Sequence, residues 1–117
     1  MRVSVTLLFC SMLAACSPAV QMPPVVYVLP SFPSMMAAGE GIKKAAADAK
    51  LIDPLEISDL RQTDHGPGRF YLCMRGLDSK YRRIRTYAVF FENDEYRGLR
   101  MPVILDDCEK QDYRPFP

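Results

Sequence analysis

Tryptophan is absent from this chain and histidine occurs once, at position 65. The scarcity leaves little material for a histidine-rich metal centre or for an aromatic ligand platform. Charge is nearly balanced, at +1 over the whole sequence, so no global field argues for nucleic acid as a partner. No apolar run approaches the roughly 20 residues that a spanning helix needs; the longest starts at Val3 and is stopped by Ser17-Pro18. The strand-to-helix nucleophile frame Gly-x-Ser-x-Gly is missing, as are a Cys-x-x-Cys pair and the alternating oxygen ligands with a turn glycine that calcium requires. No internal repeat is visible. These absences point away from an enzyme and from a bound cofactor or metal.

The N-terminus is the richest part of the sequence. Arg2 supplies one positive charge, and Val3, Val5, Leu7, Leu8, Phe9, Met12 and Leu13 supply a short apolar stretch. Leu13-Ala14-Ala15-Cys16 then brings small residues up to a cysteine. A charged start, an apolar run of about 7–15 residues and small residues at a cut site make a secretory signal. With the cysteine in that place, the segment resembles the lipobox of bacterial lipoprotein precursors. The resemblance implies cleavage between Ala15 and Cys16, with a diacylglycerol on the Cys16 thiol and an N-acyl chain on its new amino group. Residues 1–15 are then a signal peptide. One acyl chain holds a protein only reversibly, whereas two or more hold it stably. Ser17 after the lipid-bearing cysteine implies, within that family, passage to the outer membrane, facing the periplasm. Cys10 has no small residues before it and leaves with the signal.

Residues 16–34 are proline-rich, with Pro18, Pro23, Pro24, Pro30 and Pro33. Proline excludes helix and favours an extended spacer, so this segment reads as a tether. Val25, Val26, Tyr27, Val28 and Leu29 are too apolar for a plain linker. They form either an edge strand of the domain's own sheet or a segment that adds a strand to a partner. Once Cys16 carries lipid, Cys73 and Cys108 remain, an even number in an exported chain, which reads as one disulfide. Such a loop contributes about 3–4 kcal/mol in the chain-entropy model.

Residues 35–117 carry the pattern of one small α+β domain. Ser34 is a suitable N-cap, and Met35, Ala38, Ile42, Ala45, Ala46 and Ala49 share one helical face. This predicts a helix over roughly 35–51, with Glu40 and Lys44 paired on its polar side and Asp53-Pro54 as its stop. The period then changes to two. Leu55 and Ile57 form a short strand candidate, 69–75 and 85–91 are strands, and Glu92 to Glu95 is a hairpin turn. Tyr96 to Leu105 returns as a strand with Leu99, Met101, Val103 and Leu105 in phase, Pro102 marking an edge or bulge. The expected fold is one N-terminal helix packed on an antiparallel sheet of three to four strands. That order is loosely similar to the small accessory lipoproteins of outer-membrane assembly machines.

Three clusters invite a functional reading. Lys80-Tyr81-Arg82-Arg83-Ile84-Arg85 has the composition to hold anionic headgroups or anionic cell-wall polymer, or to be a solvated loop balanced by Glu92, Asp94 and Glu95. Asp64-His65 lies in a glycine- and proline-rich turn, residues 63–68, without a recognisable nucleophile. Asp106, Asp107, Glu109 and Asp112 read as a solvated acidic end. The function expected is a lipid-anchored structural or interaction component with an envelope protein as partner. The alternative is an inhibitor-type module that blocks an exported hydrolase, such as a lysozyme, through the 63–68 turn.

Overall fold

The computed structural model describes residues 29–117. Its first element is helix α1, Met35–Ala49. The Ser34 hydroxyl accepts from the Ala37 N–H at 3.1 Å, which satisfies one of the N–H groups that every helix start leaves open. Lys50 ends the helix in the left-handed region (φ 55°), and its N–H bonds back to Ala46 and Ala47. The helix therefore stops before Asp53-Pro54, and strand β1, Leu51–Ile57, begins at once. Pro54 has no N–H for a ladder, and the register of β1 against its neighbour shifts between Ile52 and Glu56.

The remaining strands are β2 (Arg61–Gln62), β3 (Phe70–Asp78), β4 (Ile84–Glu92), β5 (Glu95–Arg100) and β6 (Arg114–Pro115). All pairings are antiparallel. The order is β5-β4-β3-β1-β6, with β2 against the start of β3. The sheet thus has six strands rather than three or four; the additional ones, β2 and β6, are two-residue pairings too short to leave a periodic signal. The strand through Gly76 also continues to Asp78. A side chain at Gly76 would meet Leu55, so the glycine allows a close approach there. No described helix is long and apolar enough to cross a membrane.

Both faces of the central strands are covered. Alternation along a strand sends successive side chains to opposite faces. Phe70, Leu72, Met74, Val89 and Phe91 meet Ile42, Ala45 and Ala46 of α1, with Leu51 and Ile57 closing the same core. On the other face Tyr71, Cys73, Ala88 and Phe90 pack against Cys108 and Tyr113. Met35 was expected in the helix core but is 95 % exposed. Gly41 is instead among the buried helix residues, and its missing Cβ admits the Phe91 ring. Glu40 reaches Lys43 at 3.8 Å rather than Lys44, an exposed pair of small energetic weight. Residues 31–34, expected to end a tether, are docked on the domain: the Ser31 and Ser34 N–H groups donate to Asn93 and Asp94, and Phe32 packs on Phe70 with ring centroids 4.5 Å apart.

Candidate functional site: a braced apolar loop

Strand β5 stops at Arg100, and residues 101–105 are a loop, not the continuation of a strand. Pro102 cannot donate to a ladder, and the carboxylate of Asp106 captures the next N–H: Val103 donates to Asp106 Oδ2 at 2.9 Å. A short 3-10 turn, Ile104–Asp106, follows, with Asp107 in the left-handed region (φ 53°), then a second, Cys108–Lys110.

The alternation Met101, Val103, Leu105 that suggested a strand is therefore displayed to solvent. Ile104 is 96 % exposed, and Met101, Val103 and Leu105 are exposed beside it. Single exposed apolar side chains are ordinary, whereas here four exposed apolar side chains fall within five residues of one loop.

The loop is held at both ends. Asp106 is fully buried, which corrects its reading as part of a solvated acidic end; Asp107, Glu109 and Asp112 are exposed, as expected. Its Oδ1 accepts from Arg100 Nη2 at 3.1 Å, and its backbone carbonyl accepts from the Tyr71 hydroxyl at 2.9 Å. Arg100 lies over the Phe90 ring at 4.6 Å and donates through Nη1 to the His65 carbonyl at 3.1 Å. It thereby ties the 63–68 turn to the loop. Two residues beyond Asp106, Cys108 is bonded to Cys73 in β3, with Cα atoms 5.6 Å apart. Burial raises the Tyr71 hydroxyl above its ordinary value, with nearby Arg61 pulling the other way.

Beside the loop lies a cleft of about 550 Å³, lined by Val103, Ile104, Thr86, Arg75, Lys110 and Tyr113 among others. The Arg75 guanidinium stacks 3.9 Å from the Tyr113 ring centroid and pairs with Glu56. The Tyr113 hydroxyl donates to the Cys108 carbonyl at 2.7 Å, and burial pushes this phenol up as well. The cleft has an apolar wall from the loop and a polar floor with both signs of charge.

The other predicted sites are placed as follows. Ala15 and Cys16, and Val25, Val26, Tyr27 and Val28, lie outside the described residues; Leu29 is exposed. His65 pairs through Nδ1 with the exposed Asp64 carboxylate, and its backbone, not its ring, serves the loop. In the 63–68 turn, Gly66 is pressed against the Phe90 ring, where no Cβ would fit. The turn is therefore a support as much as a surface. Among the described residues no cluster of His, Cys, Asp and Glu is arranged to hold a metal.

The basic cluster has no partners where the sequence suggested them. Glu92 pairs with Arg69 at 3.1 Å, Asp94 holds the Ser34 N–H, and Glu95 pairs with Arg97 at 3.4 Å. All three acids sit at the β4–β5 hairpin, whereas Lys80 to Arg83 lie in the β3–β4 turn at the opposite end of the nine-residue β4. Sequence reasoning also missed Asp106 and Arg100. The only signal for them was an aspartate three residues after a residue that follows proline, a spacing compatible with a side-chain cap. No protein-family model matches the chain, and no curated protein or solved structure matches it.

Proposed function

We propose that the chain is a lipid-anchored envelope lipoprotein whose domain binds another protein through the Met101–Leu105 loop. On this reading residues 1–15 are its signal peptide, Cys16 carries the lipid, and the domain faces the periplasm from the outer membrane. Its work is binding rather than catalysis, and its partner is a resident envelope protein. The observation that carries the binding role is the braced apolar loop. Four exposed apolar side chains are held between the end of β5 and a buried carboxylate that Arg100 grips, with a disulfide two residues beyond, and a surface ordered in advance loses less entropy on association.

A second reading rests on the same loop. Ile104 is its most exposed side chain, and a loop fixed close to a disulfide suits insertion into the cleft of an exported hydrolase. The inhibitor reading therefore moves from the 63–68 turn to residues 101–105.

Protein purified from membranes should have a mass that begins at Cys16 with acyl chains added; a mass without lipid refutes the anchor. Ile104→Glu should abolish in-cell cross-linking to the envelope partner while leaving the melting curve unchanged, because exposed substitutions shift stability by only about 0.5 kcal/mol. Cross-linking that survives Ile104→Glu but fails on deletion of residues 23–30 would transfer the docking role to the Val25–Leu29 segment. Loss of activity of an exported hydrolase on adding the protein, reversed by Ile104→Glu, selects the inhibitor reading.

A further inference from the structure

From the β3–β4 turn we infer a second binding surface: a site for anionic phospholipid headgroups made by Lys50, Lys80, Arg82 and Arg83, with Tyr81 and Ile84 as its apolar members. The inference rests on the proposed membrane tether only for placing the domain next to a bilayer.

The turn is built rather than loose. Asp78 Oδ1 accepts from the N–H groups of Lys80 and Tyr81, both at 2.8 Å, and the Asp78 backbone bonds to Arg82 and Arg83. Arg82 takes the left-handed conformation (φ 52°) that this geometry needs. The Ser79 N–H donates to the Lys50 carbonyl at 3.0 Å, which brings the end of α1 beside the turn.

The acids on the elements that meet at this tip are Asp48, Asp53, Glu56 and Asp78; Asp48 accepts from the Tyr96 hydroxyl and Glu56 pairs with Arg75. Asp78 faces Arg85 at 3.4 Å and is occupied by the turn, whereas no described carboxylate pairs with Lys50, Lys80, Arg82 or Arg83. The three hairpin acids stand off by the length of β4, roughly 26 Å. That is about three Debye lengths at physiological salt, so they do not neutralise the tip. A chain with almost no net charge thus carries one locally cationic end.

The apolar members choose between anionic ligands. Tyr81 is 59 % exposed and Ile84 is 71 % exposed. Ile84 also borders a groove of about 310 Å³ with Pro54 and Leu77. A soluble anionic polymer gains nothing from a bare isoleucine, whereas cations around a tyrosine and an aliphatic side chain match the headgroup layer, charged outside and apolar beneath. The chain between Cys16 and Leu29 reaches at most roughly 45 Å when fully extended; it joins the domain at the hairpin end, where Ser31 and Ser34 donate to Asn93 and Asp94, and this reach exceeds the roughly 26 Å of β4 that separates that end from the tip.

The test uses the full chain with Tyr81→Trp, which gives it its only tryptophan. The protein is reconstituted on phosphatidylcholine vesicles with and without phosphatidylglycerol. A blue-shifted emission confined to the phosphatidylglycerol vesicles is expected. It should be reversed by molar salt, and Arg82→Ala with Arg83→Ala should weaken it about 25-fold, near fivefold per charge. Equal emission on both vesicles, or no shift on either, overturns the proposal. Salt-sensitive sedimentation with cell-wall sacculi without a vesicle shift also overturns it and assigns the tip to an anionic glycan. The intact mass of the same preparation reports separately whether Cys16 is acylated, so failure of the anchor and failure of the tip give different results.

Discussion

Replacing Asp106 by alanine is expected to destabilise the domain by about 3 kcal/mol. The carboxylate is fully buried and accepts from the Val103 N–H at 2.9 Å and from Arg100 Nη2 at 3.1 Å. Hydrogen bonds to a charged acceptor contribute about 1.5–3 kcal/mol each, and a buried donor left unpaired costs a further 1–3 kcal/mol. Breaking a buried pair from one side costs about 3–5 kcal/mol. The Arg100 side chain is one-third exposed and regains water, which moves the expectation to the lower end. Urea unfolding followed by circular dichroism measures it: the midpoint should fall with the slope unchanged, and the melting temperature should drop by more than about 10 °C in a domain of this size. Arg100→Met and the double variant complete a cycle, with a coupling of about 1–2 kcal/mol expected. A loss below about 1 kcal/mol, or a coupling near zero, would refute the assignment of Asp106 as the brace of the loop.

Two glycines in α1 should respond in opposite directions. Gly39→Ala meets no atom within 4 Å and should stabilise by about 0.5–1 kcal/mol. Gly41→Ala drives its methyl into the Phe91 ring and should destabilise by about 1–3 kcal/mol; denaturation midpoints of the pair decide it. At alkaline pH the domain should lose stability through Tyr71, Tyr96 and Tyr113, whose phenols are all raised, first by burial; at Tyr96 the hydrogen bond to Asp48 adds to the rise. An unfolded phenol ionises near pH 10 while the folded ones stay neutral. Their stabilisation is therefore complete below about pH 10 and is lost as pH rises towards the folded values. Phenolate absorbance rising well before any loss of circular dichroism would contradict this.

Elements with strong local signals are legible in the amino-acid sequence. Ser34 as N-cap, the 38-42-45-46 stripe, the alternation at 85–91 and the turn at 92–95 all depend on neighbours within a few residues. The candidate loop reads wrongly as a strand because Met101, Val103 and Leu105 keep a strand's period while Pro102 and Asp106 cancel the strand. A period-two pattern records which residues are apolar, not whether a ladder partner exists for them. Asp106 looks like part of an acidic tail because the arginine that holds it reaches across from the end of β5.

Local sequence was enough for the α+β class, the helix, the central hairpin and the even pair of cysteines. It also carries the lipobox-like start, which stands on local chemistry alone. The covered faces, the six paired strands and the burial of Asp106 came only with the folded chain. So did the placing of Glu92, Asp94 and Glu95, the acids expected to balance Lys80 to Arg85, at the far end of a strand. The difference is one of range. Propensity, capping and periodicity act over about four residues, whereas burial, ion pairing and screening depend on distances in space that folding sets.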